Sequence, residues 1–199
     1  FTFSAILRSM LRQAPNIILV GEIRDREVAE IAIQAALTGH LVFSTLHTND
    51  APSAITRLID IGMKPFLVAS SIQAIMAQRL VRVLYDKSKT LAEPDDLDPK
   101  YLSLCGISEA EAIGKVYKAV DHPDAPGGYR GRKAVFEMMQ MNAEIRDLAF
   151  KMAPVSELRQ AALNSGMRPL VEDGKLKVLK GITTPAEIAR VSQVAEEQE

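Results

Sequence analysis

Four groups of side chains in this sequence are of types that do chemistry. The first closes the run Ile17-Ile18-Leu19-Val20-Gly21-Glu22, four apolar residues and a glycine followed by a carboxylate. A buried strand with an acid at its C-terminal end places that acid in the crevice where open α/β sheets bind ligands. In nucleotide hydrolases a carboxylate there serves Mg²⁺ or orients the attacking water. The same pattern also describes an ordinary strand running into a solvated turn. The second group lies in residues 38–50, where Leu41-Val42-Phe43 leads into Ser44, Thr45, His47, Thr48 and Asn49. Hydroxyls and an imidazole at a strand end can bond phosphate oxygens or a water. They can also cap the next helix; Asn49 and Asp50 fit that role, and His47 fits either.

The third group is Arg24, Asp25 and Glu27, a surface ion network or the first-turn carboxylates of a helix. The fourth is Gly127-Gly128-Tyr129-Arg130-Gly131-Arg132. Arg130 and Arg132 can meet an anion or the acids of a neighbouring subunit, or stand in solvent on a glycine-rich turn.

The elements that must position these groups follow from hydrophobic period. Residues 4–13 read as a helix with Ile6, Leu7, Met10 and Leu11 on one face, stopped by Pro15. The run 17–20 has the pattern of a strand covered on both faces. Residues 26–38 return to helical period, with Val28, Ile31, Ala32 and Ala35 as the buried stripe. Leu41–Phe43 is a second buried strand. Asn49 or Asp50 caps a helix that has Pro52 in its first turn and buries Ile55, Leu58 and Ile59. A further helix is expected at about 66–78 and a third strand at Leu80–Tyr85. Strands alternating with helices give a parallel sheet with helical crossovers.

The composition changes at Asp86. Residues 86–100 hold Pro94, Pro99 and the acids Glu93, Asp95, Asp96 and Asp98, a loop or an excursion from the sheet. A short strand is expected at Val116–Val120, a turn-rich loop at 121–128 and a buried strand at Val135–Met139. Helices follow at about 142–152, 155–165, 169–180 and 184–194, the last opening with the capping box Thr184-Pro185-Ala186-Glu187. Glu196–Glu199 reads as a frayed acidic tail.

The chain has 199 residues, 47% of them apolar, enough for one large domain or two small ones. With 24 Lys and Arg against 25 Asp and Glu it is not a globally basic nucleic-acid binder or an acidic disordered chain. Its one cysteine, Cys105, cannot form an internal disulfide or a CxxC metal site. No segment has the ~18 consecutive apolar residues of a membrane span. The first residue is Phe1, inside a helical pattern, which suggests a start within a longer domain.

Taken together, residues 7–84, Gly128–Met138 (GYRGRKAVFEM) and Gly166–Val191 resemble the secretion ATPase superfamily, in particular the assembly ATPases of type II secretion and type IV pili. The likeness is weak only at about 86–120. It implies the C-terminal half of a RecA-like P-loop NTPase core, α/β with a parallel sheet, an inserted subdomain and a helical C-terminal extension. The expected segments are a core at 1–85, an insertion at 86–128 matching the family's zinc-binding segment, and a returning strand with helices at 129–199. IILVGE matches the Walker B strand, so the resemblance makes Glu22 the acid that orients the attacking water and helps hold Mg²⁺. GHLVFSTLHT matches the His box and makes His47, with Thr45 beside it, the γ-phosphate sensor. His40 belongs to the same motif in a structural or relay role. Arg24, in GEIRD, couples Walker B to the ring interface, and Arg130 and Arg132 are candidates for subunit contacts.

The resemblance further implies ATP and Mg²⁺, a hexameric ring, an inner-membrane platform protein as partner, no nucleic acid, and a cytoplasmic place at the inner membrane held through partners. Two departures stand out. No GxxxxGK[ST] phosphate loop occurs, and Gly174-Lys175 lacks its spacing. The four-cysteine zinc site is also lost; its positions match Tyr85, Ser88, Asp121 and Asp124, so zinc is not expected. Asp121, His122 and Asp124 can form a hard-metal site or a solvated acidic turn. The rival readings are a retraction motor of the same superfamily and a non-hydrolysing structural ring subunit.

Overall fold

The computed structural model describes residues 2–196. In chain order the elements are α1 (Phe3–Leu11), β1 (Ile17–Val20), α2 (Arg26–Leu37), β2 (Leu41–Ser44), α3 (Ser53–Asp60), α4 (Pro65–Ser71) and β3 (Ala74–Leu84). There follow β4 (Thr90–Leu91), α5 (Pro99–Leu104), α6 (Glu109–Ala112), β5 (Tyr117–Lys118), β6 (Tyr129–Gln140), α7 (Ala143–Phe150), α8 (Val155–Asn164), α9 (Leu170–Leu179) and α10 (Pro185–Glu196).

These fold as two compact units. The first comprises the residues up to Met76 together with Met138–Met167. Short polar side chains start α1, α2 and α7: Thr2 accepts from the Ala5 N–H, Asp25 from Val28 and Asn142 from Ile145, each satisfying an otherwise orphan donor. β1 and β2 are parallel, in register from Ile17 opposite Leu41 to Val20 opposite Ser44. α1 and α2 cover one face of this pair, where Leu7, Ile18, Val20, Val28, Ile31, Ala32 and Ala35 form a buried cluster. The two-sided burial expected of β1 is not found. Side chains alternate along a strand, and the outward set stays open, with Ile17 64% and Leu19 72% exposed beside exposed Leu41 and Phe43. Among the described residues nothing covers that second face.

The expected helix at 66–78 ends at Ser71, and the third strand starts at Ala74 rather than Leu80. Ile72 already has an extended backbone, ψ 134°. The strand pairs with β6 rather than joining β1 and β2, and the Met141 N–H bonds the Gln73 carbonyl at 3.0 Å. A long partner strand satisfies more backbone than the seven further residues of helix would. Among the described residues the parallel sheet therefore has two strands.

The second unit comprises Ala77–Glu137 and the residues from Arg168 on. Its limits fall inside β3 and β6. The reason is a shared core: Val81 of β3 and Val135 of β6 pack with Leu102, Cys105, Ile107, Ala112, Val116, Val178, Ile188 and Val191. The stretch 86–100, expected as loop, holds β4, a 3₁₀ turn at Pro94–Asp96 and the start of α5. β4 and β5 are antiparallel, with Thr90 opposite Lys118. Gly174 lets α10 approach closely, since a Cβ there would meet Ile188 at 2.8 Å.

Candidate functional site

The site begins where β1 and β2 run out together. Past the strands the Ile23 N–H donates to the Thr45 carbonyl at 3.0 Å, and the Thr45 hydroxyl donates to the Gly21 carbonyl at 2.7 Å. These two bonds carry the parallel register beyond β1 and β2, so the segments bearing Glu22 and His47 lie side by side. Glu22 Oε1 stands 2.7 Å from Nε2 of His47. Its other oxygen takes two donors of Arg24, each at 2.6 Å. Glu22 is the sheltered partner, with its side chain 21% exposed against 86% for His47. The Arg24 hydrogen bonds and charge hold the Glu22 carboxyl below the usual carboxylate range, against the opposing effect of partial burial.

Glu22, Ile23, Arg24, His47 and Arg57 line a cavity of about 310 Å³. Arg24 is spent on Glu22, whereas Arg57, on α3, brings a further positive charge. The lining suits an anion beside a carboxylate able to orient water. Arg57 escaped the sequence reading because it lies ten residues beyond His47 in an amphipathic helix. Its available signal was that α3 starts directly from the polar cluster.

The other expected residues fall in different places. His40 Nδ1 lies 3.0 Å from the Ala35 carbonyl and 3.2 Å from the Thr38 hydroxyl, so it finishes α2 and stands outside the cavity. Asp25 and Glu27 serve the start of α2, and Glu27 pairs with Arg8. Asp50 is buried, and its Oδ1 accepts from the Ser53 N–H at 2.8 Å at the start of α3.

In the second unit Arg130 sits 5.7 Å from the centre of the Tyr85 ring, and Arg132 is exposed. The four positions matched to the zinc cysteines lie in two turns that the chain ties together. Tyr85 is buried, its ring meets that of His122 edge-on at 5.1 Å, and its N–H bonds the Gly128 carbonyl at 3.0 Å. The Ser88 hydroxyl donates to the Val120 carbonyl at 2.8 Å, and Asp121 accepts from the Gly127 N–H at 2.6 Å. Gly128 has φ +78° and lies so close to Val120 that a Cβ would stand 2.6 Å from its nitrogen. Among the described residues no group of three or more His, Cys, Asp or Glu could hold a metal ion. Cys105 is buried, which pushes its thiol up to about 11, and it contacts the Pro185 carbonyl. Among the described residues no helix is long and apolar enough to cross a membrane.

Residues 1–190 match the profile of the family described as Type II/IV secretion system protein. The chain is 46% identical over 189 residues to the type IV pilus assembly ATPase PilB of Thermus thermophilus, covering 94% of this chain and 21% of that protein. It is 44% identical over 195 residues to type II secretion system protein E of Xanthomonas campestris pv. campestris, covering 97% and 34%. Among solved structures, the pilus retraction motor PilT with bound ADP superposes with a TM-score of 0.65 at 27% identity, over 98% of this chain and 45% of that one. The ATPase DotB of Legionella pneumophila gives 0.66 at 22% identity, over 98% and 43%, a likeness of fold. The fold is thus the RecA-like α/β fold of secretion ATPases. The chain spans 21%, 34% and 38% of the length of three curated relatives.

Proposed function

Because the chain belongs to the type II/IV secretion system protein family, we propose that it supplies the Walker B and His-box part of a hexameric ATPase that powers type II secretion or type IV pilus assembly. The observation that carries this reading is the pairing of Glu22 and His47 over a cavity that also holds Arg57. Glu22 orients the attacking water, its charge kept by Arg24. His47, on the neighbouring strand end, contacts the γ-phosphate. Thr45 fixes the spacing of the two segments through its bond to Gly21.

The donor set fits Mg²⁺ bound with nucleotide, since that ion takes one or two carboxylates and completes its shell with phosphates and waters. When bound, it neutralises phosphate charge as the transition state forms. The phosphate cradle comes from a part of the motor outside these residues, since no GxxxxGK[ST] occurs here. Residues 86–128 form the insertion and 129–199 the returning strand and helices. Arg130 and Arg132 serve subunit contacts, and a platform protein at the inner membrane is the partner. The protein works on the cytoplasmic side and reaches the membrane through that partner.

The assembly and secretion reading is favoured over retraction by 46% and 44% identity to assembly and secretion proteins against 27% to the retraction motor. The test is Glu22→Gln in the complete motor. Turnover falls by about 10²–10⁴-fold while nucleotide binding is kept, because the amide retains the shape and loses the base. Turnover within a few-fold of wild type refutes the assignment.

A further inference from the structure

We infer that Arg159, on α8, is a positioning residue that fixes the loop carrying His47; the inference rests on the reading of that loop given above. Asp50 is the anchor. It lies three residues after His47 and three before Ser53, and it is 7% exposed. Its Oδ1 accepts from the Ser53 N–H at 2.8 Å, and its Oδ2 is ion-paired with Arg159. The Thr48 hydroxyl donates to the Asp50 carbonyl at 3.1 Å. One buried carboxylate therefore ties the sensor loop to the start of α3 and ties both to a helix 109 residues further along the chain.

Arg159 is not among the residues lining the cavity, so its influence on chemistry passes through Asp50. Nor is it the anchor of its own helix, which is seated by the buried side chains of Leu158, Ala161 and Ala162. Removing Arg159 leaves α8 docked but leaves Asp50 a buried charge without its cation. Such a charge is costly, and the loop relieves it by turning toward water. That loop carries His47. A displacement of about 1 Å at a reacting group can cost ~10²-fold in rate.

The experiment uses the complete motor with Arg159→Ala, Arg159→Lys, His47→Ala and the double variant Arg159→Ala/His47→Ala. Arg159→Ala lowers kcat by about tenfold or more and leaves KM for ATP and the affinity for ADP within about twofold. Arg159→Lys, which keeps the charge, recovers a large part of that loss. In the His47→Ala background, Arg159→Ala adds less than about a further twofold, because both changes remove the same contact. If the losses multiply, or if Arg159→Ala lowers the melting temperature without lowering kcat, Arg159 is merely structural and the inference falls. Should Arg159→Ala not fold, Asp50→Asn reads the same link, with the same kcat loss and the same lack of additivity with His47→Ala. The two readings fail separately. If His47→Ala alone leaves turnover unchanged, the sensor assignment is wrong and the inference goes with it. If His47→Ala is slow and Arg159→Ala is not, only the Arg159 inference is lost.

Discussion

His47 and Glu22 are bonded to each other, Nε2 to Oε1 at 2.7 Å, from the ends of two adjacent parallel strands. In the proposed reaction these two groups have separate tasks, one on the γ-phosphate and one on the water. The contact thus competes with nucleotide for both.

His47→Ala in the complete motor slows hydrolysis and spares ADP affinity, because a γ-phosphate sensor has nothing to touch in ADP. The expected loss is on the order of 10²-fold in kcat. Single-turnover kinetics with parallel ADP titration checks it. Equal losses of ATP and ADP affinity point to a disturbed fold instead.

The 199-residue chain by itself is expected to show no steady ATP turnover. Phosphate loops supply backbone N–H groups and a lysine to the β- and γ-phosphates, and no such loop is present. A phosphate-release assay decides. Turnover that Glu22→Gln abolishes contradicts the expectation.

Glu187 makes the second unit sensitive to acid. Burial favours its neutral form, but hydrogen bonds from the side chains of Arg82 and Arg190 and from the Arg82 N–H outweigh this and lower its pKa from 4.5 to about 2. A carboxyl depressed in the folded state contributes stability that is fully present above its unfolded pKa and lost as pH falls through the folded one. That contribution is complete above about pH 5 and fades between about 4.5 and 2. Glu187→Gln costs about 3 kcal/mol near neutral pH, and the gap from wild type narrows toward pH 2. Denaturant melts across that range measure it. A gap independent of pH assigns the loss to packing.

Residues 85–88 and 120–128 are held by ring packing and hydrogen bonds, so the purified protein is expected to carry no stoichiometric zinc. Elemental analysis after preparation without chelators is expected to give well under about 0.1 zinc per chain, and a chelator leaves the melting curve unchanged. About one zinc per chain, with stability lost on chelation, contradicts this. His122→Ala removes the edge-on partner of Tyr85 and costs about 1 kcal/mol.

Much of the site was legible because its signals are local. The run into Glu22 and the polar end of the second strand are contiguous in sequence, and parallel pairing needs only those two runs to set Glu22 beside His47. Asp25, read as part of an ion network or a first-turn carboxylate, is the N-cap of α2, whereas the cap at Thr184 was likewise readable from adjacent residues. Arg57 and the Asp50–Arg159 pair were not, because each depends on which way a helix faces or on residues far apart in the chain. The length of β3 was missed because residues 72–79 are compatible with either period, and the partner that decides lies in β6. One-sided cover of β1 was missed because four consecutive apolar residues say nothing of what lies above them.

That uncovered face has a practical side. Ile17, Leu19, Leu41 and Phe43 stand in an exposed strip on a ribbon that has two strands among the described residues. Such a ribbon is an adhesive surface. Prepared at this length, the polypeptide is expected to brighten an apolar fluorescent dye while folded, to scatter light as its concentration rises, and to be kept clear by mild detergent rather than by salt. Lysine at positions 19 and 43 suppresses both signals without touching the core side of either strand.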